Sequence, residues 1–272
     1  MRRATCLGLL SALLLMAGLR AGQAGEAALV SITTPRGATQ AFILIKPDNK
    51  PVASVILFAG GWGALGLKSE STMRWGTGNF LVRSRDKFAA RDLMVAVIDA
   101  PSDRQGGINA VFRMSRAHAA DIGAVAAHLK REVAVPVWLV GTSMGTFSAA
   151  AGAIGASGID GLVLTSTVTR SKPDWLIARS HPDGVASMPL RKVRVPTLIV
   201  SHRDDGCDLT PAADARKLRR RLTRAPKVEV ALLEGGDPPQ SVPCEAKAQH
   251  GFLGIETEAV DTIAKFIVNN GS

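Results

Sequence analysis

From Ala28 onward, short apolar runs alternate with stretches of helical periodicity. Residues 29–33, 40–45, 53–58, 93–98, 135–140, 161–165, 197–201 and 227–233 are rich in β-branched and aliphatic side chains and read as strands. Several are apolar without interruption, such as Val95-Ala96-Val97-Ile98 and Val137-Trp138-Leu139-Val140. That pattern belongs to central parallel strands covered on both faces. Helical patterns fall between them at 80–91, 113–131, 144–156, 211–221 and 256–268. Strand and helix in alternation imply right-handed crossovers and an α/β fold with a mostly parallel, eight-stranded, doubly wound sheet. Ligands of such a sheet bind in the loops that follow the carboxyl ends of its strands. No internal repeat and no Ser/Gly-rich linker divides the chain, so residues 25–272 are expected to form one domain.

The first 24 residues break this rhythm. Arg2 and Arg3 precede an apolar stretch from Cys6 to Leu19, and Gly22-Gln23-Ala24 offers small residues for cleavage. This is the pattern of a secretory signal, and the stretch is short of the roughly 20 apolar residues of a membrane span. The mature protein is therefore expected to be exported, periplasmic or secreted, without a stable membrane span. Of the three cysteines, Cys6 leaves with the leader, and Cys207 and Cys244 remain as an even pair. In an oxidising compartment a disulfide between them is the leading reading, ahead of two buried free thiols. Neither cysteine stands at a strand-to-helix turn, and no histidines cluster at ligand spacing, so a catalytic thiol and a zinc site lack support.

Composition narrows the function classes. The 272 residues are 46% hydrophobic and 21% charged, an ordinary globular balance. With 8 Phe, 4 Trp and no Tyr, stacking platforms for single-stranded nucleic acid are not expected. Of the net charge of +10, about +7 remains once Arg2, Arg3 and Arg20 are removed, and the densest run is 217–224. Cations there either complement the end of a solvated helix or offer a contact to an anionic surface or lipid headgroup, and specific nucleic-acid binding is not expected. Gly60-Gly61-Trp62-Gly63 lacks both the dinucleotide spacing and the phosphate-loop ending, so no cofactor is expected.

The sharpest chemical signal is Gly141-Thr142-Ser143-Met144-Gly145, directly after one apolar run and directly before a small-residue helix. A G-x-S-x-G in that context is a nucleophile elbow: the glycines allow a turn sharp enough to hold Ser143 above the sheet. A serine needs a histidine base and an acid to orient it. His118 and His128 fall within the helical pattern 113–131, His181 precedes a proline in an irregular stretch, and His202 stands too near the acid candidates. His250, ahead of the last helix, is the preferred base. For the acid, the loop after strand 197–201 offers Asp204, Asp205 and Asp208. Asp205, followed by a glycine, suits a side chain that reaches back to the histidine, and Asp208 could instead cap the helix that follows. The order Ser143, Asp205, His250 is the one expected when the serine lies on such an elbow.

On these residues the chain resembles the α/β-hydrolases, and the likeness of pattern extends over essentially all of the mature sequence. The resemblance implies that the turn after the third strand, Ala59-Gly60-Gly61-Trp62-Gly63, supplies an oxyanion amide from Gly61 or Trp62, alongside that of Met144. Ala59 departs from the histidine many relatives carry before the glycines. A Cys207–Cys244 bridge would tie together the loops that must place Asp205 against His250. Arg74, Arg83 and Arg85 are either helix-surface arginines or contacts for an anionic substrate. Asp99-Ala100-Pro101-Ser102-Asp103-Arg104 is either a capped turn or a second substrate contact.

The expected activity is two-step acyl transfer: Ser143 attacks an ester carbonyl, His250 takes its proton, Asp205 holds the imidazole, and water releases the acyl group. The base must be neutral, so turnover is expected to rise with pH through the ordinary imidazole range. Some 30 residues between the sixth and seventh strands are too few for a large helical lid, which suits a small-molecule or polymer-borne ester. Thioesterase, peptidase and acyltransferase chemistry use the same triad. A different class of function, a non-catalytic exported binding protein on this scaffold, would leave Ser143 inert.

Overall fold

The apolar runs do become strands, and they join one sheet. In a computed structural model that describes residues 25–271, eight strands lie in the order β1-β2-β4-β3-β5-β6-β7-β8. They are β1 (Ala27–Thr33), β2 (Thr39–Ile45), β3 (Ala53–Phe58), β4 (Leu93–Ile98), β5 (Val137–Thr142), β6 (Gly161–Thr165), β7 (Thr197–His202) and β8 (Val228–Leu233). β1 pairs antiparallel with β2, and β2 antiparallel with β4; the pairings from β4 through β8 are parallel. The expected export signal, 1–24, lies outside the described residues.

Both faces of the sheet are buried because successive side chains of each central strand go to opposite sides. On β5, Val137 and Leu139 join one core cluster while Trp138 and Val140 join the other. The first face is covered by α4 (Arg116–Glu132), α5 (Gly145–Gly155) and α6 (Ala215–Arg221), through Ile122, Val125, Ala149 and Leu218. The second is covered by α1 (Phe80–Arg83), α2 (Arg85–Ala89) and α7 (Glu256–Asn270), through Phe80, Phe88, Val260 and Ile263.

Several boundaries differ from the sequence expectation. The fifth strand begins at Val137 because Pro136 has no amide to give the ladder, and it runs on through Thr142. Helix 80–91 is divided at Ser84, which ends α1 and opens α2. Helix 113–131 is two elements, α3 (Ala110–Arg113) and α4, and the hydroxyl of Ser115 caps α4 by accepting from the His118 amide. The segment after Pro211 starts as a 3-10 turn, Ala212–Asp214, without a cap from Asp208.

The chain reverses its direction of winding at β3, with β4 on one side and β5 on the other. The crevice beyond the carboxyl ends of β3 and β5 is where a ligand site is expected in such a sheet. The connection from β6 to β7 contains two short 3-10 turns, Gly184–Ser187 and Leu190–Lys192, and no α-helix, so no large lid covers that edge. Among the described residues, no helix is long and apolar enough to cross a membrane.

Trp138 and Gly161 face each other across β5 and β6, and a Cβ on Gly161 would lie 2.1 Å from the buried indole ring. Gly161→Ala is expected to lower the unfolding free energy by about 1–3 kcal/mol. A lower urea midpoint at unchanged slope would register it.

Candidate active site

Ser143 leaves the end of β5 with φ +52°, a left-handed conformation that non-glycine residues seldom hold without cause. The turn is fixed on both sides. The Ser143 amide donates to the Thr165 carbonyl at 3.1 Å, and the Ser143 carbonyl accepts from the Thr146 amide at 2.9 Å and the Thr146 hydroxyl at 2.5 Å. Helix α5 then starts at Gly145, whose missing side chain lets it press against β3: a Cβ there would lie 2.1 Å from the Phe58 carbonyl oxygen.

Beyond β7, the Asp205 amide donates to the His202 carbonyl, and the Asp205 side chain is fully buried. Oδ1 of Asp205 accepts from the Cys207 amide at 3.0 Å, and Oδ2 accepts from the Thr210 hydroxyl at 2.8 Å. Oδ2 also lies 3.0 Å from Nδ1 of His250. His250 is 4% exposed, in the 3-10 turn Gln249–Gly251, and its carbonyl accepts from the Ser166 hydroxyl at 2.7 Å. Ser143 and His250 line the same cleft, of about 640 Å³, with Gly60, Gly61 and Trp62 on its wall. Thus the three expected residues converge on one edge of the sheet. The competing carboxylates, Asp204 and Asp208, are exposed and make no bond to His250.

The disulfide is present. Cys207 and Cys244 are joined at an S–S distance of 2.01 Å with their Cα atoms 4.6 Å apart, closing a separation of 37 residues. It ties the Asp205 loop to the segment ahead of His250. Asp205, His250 and Cys207 sit close together, but the Cys207 sulfur is spent in the bridge and offers no thiolate to a metal.

The other histidines are occupied elsewhere. His202 is buried, its Nε2 2.9 Å from the Gly235 carbonyl and its Nδ1 accepting from the Asp204 amide. His181 lies against the Ser180 hydroxyl and His128 near Glu132. His118 is buried beside Phe58 and Phe112, and neither ring nitrogen has a hydrogen-bond partner among the described residues.

The two secondary clusters become scaffold for the most part. Asp99 collects the amides of Leu65, Gly66, Leu67 and Ala100 at 2.6–3.2 Å, which is the capped-turn alternative. Arg83 binds Glu256, donates to the carbonyls of Gly78 and Gly251 at 2.6 Å, and reaches that of Ala246 at 3.2 Å. Partial burial would raise the Glu256 carboxyl, but the Arg83 hydrogen bond and charge together with the backbone amides of Glu256 and Gly254 hold the group below the usual carboxylate range. Arg83 thereby fastens the His250 loop to the loop before α1. Arg85 turns back to the Val82 carbonyl. Arg74 does line the cleft.

Three features lie outside the sequence expectation. Thr210 also approaches Nδ1 of His250, at 3.1 Å, and Arg113 is buried behind the 59–63 turn. A second, mainly apolar cleft of about 480 Å³ shares Gly61 and Trp62 with the first and adds Met144, Ile108, Trp175 and Leu176. Leu176 and Trp62 stand on its rim, 84% and 69% exposed.

The sequence matches no protein-family model and no curated protein sequence. Solved structures do resemble the fold. An esterase of Pyrococcus furiosus superposes with a TM-score of 0.64 at 16% identity, covering 91% of this chain and 92% of that one. A dienelactone hydrolase of Anabaena variabilis gives 0.60 at 13% identity over 92% and 100%. A cold-adapted esterase from an Arctic intertidal metagenomic library gives 0.57 at 15% identity over 94% and 100%. The chain has the α/β-hydrolase fold.

Replacing both Cys207 and Cys244 by Ala should remove roughly 3–4 kcal/mol of loop-closure stabilisation, read from equilibrium unfolding. His118 sets a second expectation. Burial, reinforced by the charges of Arg113 and Arg36, pushes its imidazole down to about 3. Between there and the unfolded value of about 6.5, the unfolded chain takes up a proton the native state refuses. Stability is therefore intact above that window and falls as pH drops through it. His118→Leu should flatten this acid limb by up to about 1.4 kcal/mol per pH unit, measured by denaturant titration between pH 7 and 4.

Proposed function

We propose that the protein is an exported serine hydrolase that cleaves carboxylic esters through a Ser143–His250–Asp205 triad and an acyl-enzyme intermediate. The observation that carries this reading is the left-handed Ser143 sharing a cleft with a His250 whose Nδ1 is 3.0 Å from the buried Asp205 carboxylate. With its proton on Nδ1, the imidazole has Nε2 free to accept the Ser143 proton as the hydroxyl attacks the carbonyl carbon. The tetrahedral oxyanion then finds the Met144 amide at the start of α5 and an amide of Gly61 or Trp62. His250 returns the proton to the departing alcohol oxygen, and a water molecule, activated the same way, releases the acid. Asp205 keeps its charge throughout and steadies the imidazolium. Thr210 adds a hydroxyl to the same carboxylate oxygen and limits how far the acid can turn.

The open cleft and the short β6–β7 connection favour a small-molecule or polymer-borne ester over a deeply swallowed chain. The esterases and the hydrolase among the structural neighbours agree with this class of chemistry. The Cys207–Cys244 bridge and the leader pattern at 1–24 support export, with cleavage after Ala24.

Intact mass of the exported protein before and after a fluorophosphonate tests the reading. One adduct on the wild type and none on Ser143→Ala is expected, and turnover of p-nitrophenyl acetate should fall by at least about 1,000-fold in that variant. The unreacted mass should match a chain beginning at Gly25 and lacking two cysteine hydrogens. A folded wild type that takes no adduct would overturn the hydrolase reading.

A further inference from the structure

We propose that Arg113 is a positioning residue that holds the 59–63 turn in the form that binds the oxyanion, an inference that rests on the serine-hydrolase reading above. Arg113 ends α3 and is 1% exposed. Among the described residues no carboxylate pairs with it. Its donors go instead to four uncharged oxygens: Nε to the Ile108 carbonyl at 3.2 Å, Nη1 to the Ser148 hydroxyl at 2.8 Å, and Nη2 to the carbonyls of Ala59 and Gly61 at 3.3 and 3.2 Å. A buried cation without a counterion is costly, and a neutral amide could tie one or two carbonyls at less expense. Burial pulls the guanidinium down to about 9, which leaves it charged at neutral pH.

Peptide geometry converts these bonds into a function. The C=O and N–H of a trans peptide point in opposite directions. With the Gly61 carbonyl turned inward to Arg113, the Trp62 amide on the same peptide is turned outward, where Gly61 and Trp62 wall both clefts. The anchored carbonyls of Ala59 and Gly61 also bracket the Gly60–Gly61 peptide, which fixes the Gly61 amide. A cation bound to a peptide oxygen polarises that peptide and strengthens its N–H as a donor. Ser148 lies on α5, the helix that opens immediately after Met144, so one guanidinium ties the donor turn to the element that supplies the other oxyanion amide. Gly63 is shaped to this arrangement: it has φ +66°, and a Cβ on it would lie 2.3 Å from Nη2.

The test compares wild type, Arg113→Met and Arg113→Lys, each with its fold verified by near-UV circular dichroism, on p-nitrophenyl acetate and its thiono analogue. Sulfur accepts hydrogen bonds poorly, so the ratio of oxo to thiono rates reports amide binding at the oxyanion. In Arg113→Met, kcat should fall about 100-fold with KM within about threefold, and the oxo/thiono ratio should collapse. Lysine, with one compact ammonium, should recover part of both. Loss of kcat at an unchanged ratio, or no loss, overturns the proposal. If the methionine variant does not fold, the lysine variant decides by the same ratio. A wild type unlabelled by fluorophosphonate overturns the hydrolase reading and this inference with it, whereas a wild type and Arg113→Met labelled equally fast overturn this inference alone.

Discussion

The close approach of α5 to the end of β3 governs the rest of the site. Because Gly145 has no side chain, the helix begins in contact with the Phe58 carbonyl, and the turn that follows Phe58 is brought beside the turn that carries Ser143. A Cβ on Gly60 would lie 3.0 Å from that of Ser143, which shows how little room separates the two turns. Sheet order makes this possible, since β3 and β5 are neighbours although β4 intervenes in sequence. Local backbone strain at Ser143 is thus held by tertiary packing and not by the local sequence alone.

Asp205 and His250 reach this edge from loops distant in the chain, and each is restrained more than once. Asp205 is held by the Cys207 amide and the Thr210 hydroxyl, His250 by Ser166 from below and by the Arg83 network on its flank. The disulfide joins the two loops covalently. Phe252, in a left-handed conformation directly after the His250 turn, packs on Phe80 at 4.8 Å between ring centres and anchors that turn to α1. Such redundancy holds the imidazole and the carboxylate in one relative placement, as the proposed acyl transfer would require.

Much of this was legible in the sequence because it is written in short-range patterns. Uninterrupted apolar runs gave the strands to within a residue or two, and the glycines around Ser143 marked a sharp turn between strand and helix. Asp205 and His250 could be ranked because position after a strand restricts which side chains reach the edge. Other features had no local signature. Arg113 stands at the start of the helical pattern 113–131, which says nothing of its exposure, and its burial follows from where α3 packs against the 59–63 turn. Ser84 and Ser115 interrupt helices whose apolar spacing continues across them, so periodicity alone joins what a backbone break at Ser84 and a hydroxyl cap at Ser115 separate. The sequence leaves Arg83 between a helix-surface arginine and a contact for an anionic substrate, and its role as a tie appears once the loop holding Gly251 folds over it.

The two clefts share the Gly61–Trp62 ridge but differ in character: one is bordered by Arg74, Asn79 and Glu245, the other by Ile108, Trp175 and Leu176. A saddle with unlike slopes is a directional surface. An elongated molecule laid across it meets the more polar wall at one end and the mainly apolar one, which also carries Lys172 and Asp174, at the other, so its two orientations differ in energy. Asymmetry of solvation around a ridge two residues wide can therefore decide which end of a guest faces which wall.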